Sequence, residues 1–276
     1  MVHLLQFDSL LTGYRWAPRY LVIGESLLQY TNLTPDMSVK ISDFGAGTIS
    51  GYHAVSYGHL VGEIVRRVSG KSLRDFVQDE IARPLDADYQ VGARESDWHR
   101  VAEIIPPPTL DTSMFGAVDP EGVMMKTVAF ALNSSTAPNT PGFPRAQIGA
   151  INGHMNARAI GRIFSALVAD RKQRLLLQQT IDRILEIQYK GTDVVTLVPI
   201  CWGIGFGLSH PDTTPYIPEG RVIFWTGWGG SILLIDFEKQ LVIGYAMNKM
   251  GQEGYTGSER TQQYVEAIYK AVQQKL

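Results

Sequence analysis

Between Ser50 and Leu73 the apolar positions Leu60, Val61, Ile64, Val65 and Val68 recur at i, i+1, i+4, i+5 and i+8, with His59, Glu63, Arg66 and Arg67 on the opposite face. This spacing predicts an amphipathic helix that buries one side. Gly70 stops it, Ser72 with Asp75 offers a capping box, and Leu73, Phe76, Val77 and Ile81 form the stripe of a second helix that ends before Pro84. Ala157, Ile160, Ile163, Phe164, Leu167 and Val168 mark a third helix after "INGHMNARA", and Leu175 to Ile187 reads as a fourth. From Cys201 the period changes. "WGIGFGLS", "RVIFWTG", "SILLIDF" and "QLVIGYAMN" are short, β-rich and separated by turn signals, as in an antiparallel meander. The helical period returns from Ser258 to Val272, where Tyr264, Val265, Ile268, Tyr269 and Val272 share one side, ready to cover a face of that sheet.

A helix-rich middle, a meander and a closing helix make an α+β arrangement rather than a doubly wound one. We read residues 1–276 as a single domain, with an α-rich lobe over about 52–199 and the sheet with its closing helix over about 200–276. Residues 1–50 are irregular, with "LTPD" and "FGAGTISG" as breaks. Arg94 to Gly153, with "IIPPP" and "STAPNTPGF", reads as loop-rich covering structure, which in compact domains often borders a site.

Composition narrows the function classes. The chain has 276 residues, 45% hydrophobic and 19% charged, enough for a substantial core. Its 25 basic and 27 acidic residues give a net charge of −2 with no long run of either sign, so neither a nucleic-acid footprint nor a membrane patch is visible. The expected partners are small molecules or proteins. The longest apolar tract, roughly Val194 to Leu208, is interrupted by Thr196, Pro199 and glycines and does not read as a membrane span. The N-terminus lacks the profile of a secretory signal, and the single cysteine, Cys201, rules out an internal disulfide framework. The default expectation is a cytoplasmic protein.

Most standard catalytic signatures are missing: no Gly-x-Ser-x-Gly elbow, no His-Glu-x-x-His and no Walker loop. "GIGFG" at Gly203 to Gly207 lies in a strand candidate and reads as close backbone approach, not a dinucleotide loop. The six histidines are scattered, and His154 in "NGHMNA" reads as a hydrogen-bonding loop anchor before it reads as a metal ligand. No metal or cofactor is expected.

Two segments rise above this background: "YHA" at Tyr52, before the helix "YGHLVGEIVRRVSG", and "FWTGWGGSILLIDFEKQLVIGYAMNKM", Phe224 to Met250. Together they resemble the β-lactamase-related serine hydrolases, in particular the carboxylesterase and transesterase branch. The first looks like the family's Tyr-x-Asn motif and the second like its Lys/His-Thr-Gly strand followed by Gly-Gly-Ser. "INGHMNARAIGRIFSALV" is similar to a helix of that branch, and the resemblance runs over almost the whole chain. It implies a β-lactamase/penicillin-binding-protein-like fold with the site between an α-rich lobe and an antiparallel sheet. The implied reaction is acyl transfer, in which a serine attacks a small ester and the acyl-enzyme passes its acyl group to water or another acceptor. Tyr52 would then match the tyrosine that moves the nucleophile's proton, and the Trp228 N–H would supply half of an oxyanion hole. Trp225, Thr226, Gly227, Gly229, Gly230 and His154 join these two as candidate substrate-contacting residues.

Three departures qualify the match. Ala54 stands where the motif has Asn. Trp225 stands where it has Lys or His, which removes a cation suited to a β-lactam carboxylate, so antibiotic hydrolysis is not expected. No serine in the sequence is followed by lysine three residues later, so the family's Ser-x-x-Lys nucleophile is absent, and the chain is expected to be a family member lacking its N-terminal part. Ser9, Ser26 and Ser56 carry no adjacent lysine or histidine signature that would replace it. Without that lysine, Tyr52 is expected to stay protonated and to donate a hydrogen bond. A non-catalytic form, a truncated protein or pseudoenzyme that binds an acyl compound or a protein, is the alternative. A purely structural Tyr52, bonded to a loop carbonyl, also stays open, as does a packed Trp225–Trp228 pair at the sheet edge. A missing segment would expose a sheet edge and favour self-association.

Overall fold

The computed structural model of the chain describes residues 49–54, 56–107, 122, 124–125, 136–169, 175–251 and 256–274. The expectations for residues 1–48, with Ser9 and Ser26, lie outside them. Helix α1 spans Ser56–Ser69 and helix α2 Leu73–Val77, continued by a π-turn over Gln78–Ala82. The Ser72 hydroxyl accepts the Asp75 N–H as the capping pattern predicts. Strands β1 (Tyr89–Val91) and β2 (Gly153–Met155) pair as a small antiparallel sheet, and Asn156 caps α3, Ala157–Val168.

The fourth helix is shorter than its apolar pattern. Helix α4 covers only Gln178–Ile184, and Leu177 before it is 76% exposed. The six-stranded sheet also starts earlier than residue 200. Its strands are β3 (Tyr189–Thr192), β4 (Pro199–Trp202), β5 (Gly207–Leu208), β6 (Val222–Thr226), β7 (Ile232–Asp236) and β8 (Leu241–Tyr245). Each pairs antiparallel with its neighbour in chain order, so the meander is complete. The "GIGFG" segment is not one strand: Gly203 N–H donates to Phe206 C=O to close the turn between β4 and β5, with Gly205 at a φ of 77°. The reading of close approach holds at Gly207, where a Cβ would lie 3.0 Å from Trp225.

The sheet carries a core on each face. Val222, Phe224, Ile232, Leu234 and Ile243 pack with Val265 and Tyr269 of the closing helix α5, Glu259–Gln273. Ile223, Ile235, Cys201 and Leu208 pack on the other face with Leu167 and Val168 of α3 and Ile184 of α4. Gly244 lets α3 sit directly on β8, since a Cβ there would lie 2.5 Å from Ile160. The near-continuous apolar runs "VIFWT" and "ILLID" fit this arrangement: β6 and β7 bury both faces because helices cover both. Helix α1 differs. Its stripe residues are only half-buried and Val68 is 84% exposed, because α2 packs only on its middle, through Leu73 against Gly62.

Candidate active site

Tyr52 precedes α1 by four residues, yet its ring lies against the large sheet. The Trp225 indole N–H of β6 donates to the Tyr52 hydroxyl at 3.1 Å. The Tyr52 ring is nearly parallel to Trp202 of β4, with centroids 5.9 Å apart, and Trp202 lies 4.5 Å from Trp225. An indole nitrogen is only a donor, so the Tyr52 oxygen accepts and its own proton points away from Trp225. This contact uses the hydroxyl as an acceptor, whereas a bond to a loop carbonyl would use its proton. The alternative of an edge pair of tryptophans changes: β6 is an interior strand, and Trp225 packs with Trp202, Tyr52 and Phe224.

Strand β6 runs into a tight turn at Gly227–Gly230. Gly230 N–H donates to Gly227 C=O at 3.0 Å, and Gly227 N–H to Ser231 C=O at 2.8 Å. Trp228 and Gly229 occupy the two central positions, and Gly229 has a φ of 94°, as the third residue of a type II turn requires. A side chain at 229 would also strike Met247 and Met250 at 2.9 and 2.8 Å. The turn is tied from outside: Gly251 N–H donates to Gly229 C=O, and the Thr261 hydroxyl at the start of α5 donates to Gly230 C=O. Among the described residues no acceptor takes the Trp228 N–H, which leaves it available to an oxygen of a ligand. Thr226, the last residue of β6, is buried.

The remaining candidate is on the small sheet. His154 sits in β2 opposite Gln90, not in a loop, and its buried Nε2 has no hydrogen-bond partner among the described residues. Burial, followed by the charge of Arg74, holds its pKa below the ordinary imidazole value.

Sequence reasoning does not single out three members of the site. Trp202 stacks on Tyr52, and its indole N–H donates to the Ser50 hydroxyl at 3.0 Å. Ser50 in turn donates to Asp193, in the loop between β3 and β4, at 2.6 Å. Both Ser50 and Asp193 are fully buried. Beside Trp225, a small hollow of about 10 Å³, room for about one water molecule, is bordered by Cys201, Leu208, His210, Thr213, Thr214 and Phe224. Burial raises the Cys201 thiol above its usual pKa, which fits packing and opposes thiolate chemistry. Among the described residues no group of three or more His, Cys, Asp or Glu is placed to hold a metal ion, and no helix is long and apolar enough to cross a membrane.

Comparison with known proteins supplies the context. The family model described as Beta-lactamase matches residues 10–266. The "Esterase/beta-lactamase LipL" of Mycobacterium tuberculosis is 31% identical over 214 residues, covering 73% of this chain and 48% of that protein. A family VIII carboxylesterase of known structure superposes with a TM-score of 0.71 at 31% identity, over 82% of this chain and 60% of its own. A penicillin-binding protein homologue from Caulobacter crescentus gives 0.70 at 29%, over 82% and 59%. The chain thus spans about half the length of the curated relative it matches.

Proposed function

The chain belongs to the beta-lactamase family, and from that premise we propose that it is an acyl-transfer protein of the carboxylesterase or transesterase type, whose substrate is a small ester. The observation that carries this reading is the 3.1 Å contact between Tyr52 and Trp225, which sets a phenol beside the strand that leads into the Gly227–Gly230 turn. A group able to relay a proton and a backbone N–H able to meet a developing oxyanion then border one cleft. In this scheme a serine hydroxyl attacks the ester carbonyl, its proton passes by way of Tyr52 to the leaving alcohol, and the carbonyl oxygen gathers charge against the Trp228 N–H. Water or another alcohol then attacks the acyl-enzyme, returning a proton by the same route. Trp225 brings no positive charge to this wall, so neutral esters suit it better than carboxylate-bearing β-lactams.

No serine in the sequence is followed by lysine at the third position, and the scheme assigns the nucleophile to none of these residues. That observation favours a second reading, a non-catalytic form that binds an acyl compound. Incubation with a fluorophosphonate probe and turnover of p-nitrophenyl butyrate separate the two. Serine labelling with turnover that falls about 100-fold in Tyr52→Phe supports the enzyme. Absence of both, with retained binding of a short-chain ester, supports the binder. Self-association through the outer edge of β8, which has no ladder partner among the described residues, is a separate proposal. Sedimentation velocity across a wide concentration range checks it, and a monomer throughout would reject it.

A further inference from the structure

We infer that the Ser50–Asp193 pair is the positioning element of this site, one buried carboxylate that sets both the backbone at Tyr52 and the indole on which its ring lies. Its catalytic consequence rests on the acyl-transfer reading above; its structural content does not.

Two separate paths lead from Asp193 to Tyr52. Along the backbone path, Asp193 Oδ1 accepts the Tyr52 N–H at 3.2 Å. The same oxygen accepts the N–H groups of Val195 and Thr196, each at 2.9 Å. Ser50 and Asp193 form a parallel β-bridge, and Val194 N–H donates to Ser50 C=O at 2.9 Å. The segment before α1 is thus bolted to the β3–β4 loop two residues ahead of Tyr52. Buried Val195 of that loop also packs with Tyr52.

Along the side-chain path, Ser50 stands between Trp202 and Asp193, and the chemistry allows one polarity only. A carboxylate accepts and an indole N–H donates, so the single Ser50 proton must point to Asp193 and an oxygen lone pair must face Trp202. The 2.6 Å Ser50–Asp193 bond is short, as expected for an ionised acceptor. This chain of bonds fixes the edge of the Trp202 ring, and Tyr52 lies over its face. With Trp225 holding the hydroxyl, the phenol is located at its backbone, its ring and its oxygen.

The arrangement answers a need of the fold. A residue just ahead of α1 receives little support from a helix whose apolar stripe is half-covered. The support comes instead from the sheet, across 141 positions of sequence. No charged partner is required, because four donors satisfy the carboxylate.

The test uses the whole chain with Ser50→Ala, Asp193→Asn and Tyr52→Phe variants, and Trp202→Phe as a spectroscopic reference. Near-ultraviolet circular dichroism reads the tyrosine–tryptophan stack, and far-ultraviolet dichroism with the urea midpoint reads the fold. We expect Ser50→Ala to keep the far-ultraviolet spectrum and lose at least half of the near-ultraviolet signal that Trp202→Phe removes. We expect Asp193→Asn to lose more, because its amide presents N–H where the Ser50 O–H points. Where ester turnover is measurable, both variants lower kcat by about tenfold or more with KM within about twofold, and neither adds to Tyr52→Phe in the double variant. A folded Ser50→Ala variant with an unchanged near-ultraviolet spectrum overturns the proposal, and it decides the matter alone if Asp193→Asn does not fold. Absence of turnover in the unaltered chain would count against the acyl-transfer reading, and the near-ultraviolet spectra would then decide on positioning by themselves.

Discussion

The helix that closes the sheet and the helix that follows Tyr52 carry similarly regular apolar stripes, but only the first meets a surface that covers it. In α5, Thr261 and Val265 are fully buried and the Tyr269 hydroxyl donates to buried Asp236 at 2.9 Å. Burial and the Asp236 charge push that phenol far above its usual pKa, so it remains a donor. In α1 the corresponding residues are half-exposed, and its polar face closes on itself through Glu63 with Arg66 and Arg67. Periodicity alone therefore does not seal a face: in α1 His59 and Glu63 of the polar side are partly covered, as Leu60 and Val65 of the stripe are. For the site, the consequence is a division of labour. The Gly227–Gly230 turn is braced by α5 from behind, whereas Tyr52 is braced by Asp193 and not by its own helix.

Core substitutions should expose this contrast most strongly. Leu234 is fully buried between β6 and β8, and Leu234→Ala should cost about 2–5 kcal/mol in urea unfolding. Val65→Ala on α1 should cost less, about 1 kcal/mol, since that side chain is only partly buried. Equal costs would mean that α1 is sealed after all. At the next level, Thr261→Ala removes the hydroxyl that holds Gly230 C=O and should cost about 1–2 kcal/mol. The same change should weaken ligand binding at the turn, measured by titration with a short-chain ester. Loss of stability with untouched binding would break the link between α5 and the turn.

The pH dependence sharpens the comparison from the α1 side. His59 lies on the polar face of α1, its Nε2 is buried without a hydrogen-bond partner among the described residues, and burial lowers its pKa to about 4. Above the ordinary imidazole value of about 6.5 the group is neutral in folded and unfolded chains alike, and its full contribution is present. As pH falls from there towards 4, the unfolded chain binds a proton that the folded chain refuses, so stability declines. Allowing for partial exposure, the decline should amount to about 1–2 kcal/mol between pH 7 and pH 4. His59→Gln should flatten that part of the urea-midpoint profile. An identical slope in the variant would place the histidine in solvent.

Much of the fold is legible in the sequence because its signals are local: the stripe of α3, the stripe of α5 and the short β-rich runs of β6 to β8 each lie within about fifteen residues. Strand β3 is not legible, since "YKGT" has neither alternation nor β-branched residues beyond Thr192, and it is specified by pairing with β4. The apolar run Leu175 to Leu177 makes the fourth helix look longer than it is, although Leu177 faces solvent. At the site, the motif residues Tyr52 and Trp225 stand out. Ser50, Asp193 and Trp202 do not, because their meaning lies in contacts 143 and 152 positions apart. A serine before a glycine and an aspartate in a turn are ordinary when seen singly.

The loop that carries Asp193 provides the smallest and most discriminating change. Leu197 adopts a φ of 59°, a left-handed conformation that is an outlier for a bulky side chain, and its N–H donates to Asp193 C=O at 2.9 Å. The side chain is half-exposed, so little burial offsets the strain. Leu197→Asn suits this conformation better and should raise stability by about 0.5–1 kcal/mol, read as a higher urea midpoint at unchanged slope. If Asp193 holds Tyr52 through a loop of fixed shape, the near-ultraviolet spectrum should stay the same, because the backbone bonds at Asp193, Val195 and Thr196 are retained. A stability gain with an altered tyrosine–tryptophan signal would show instead that the strain at Leu197 helps aim the loop, moving part of the positioning from the carboxylate to the backbone that carries it.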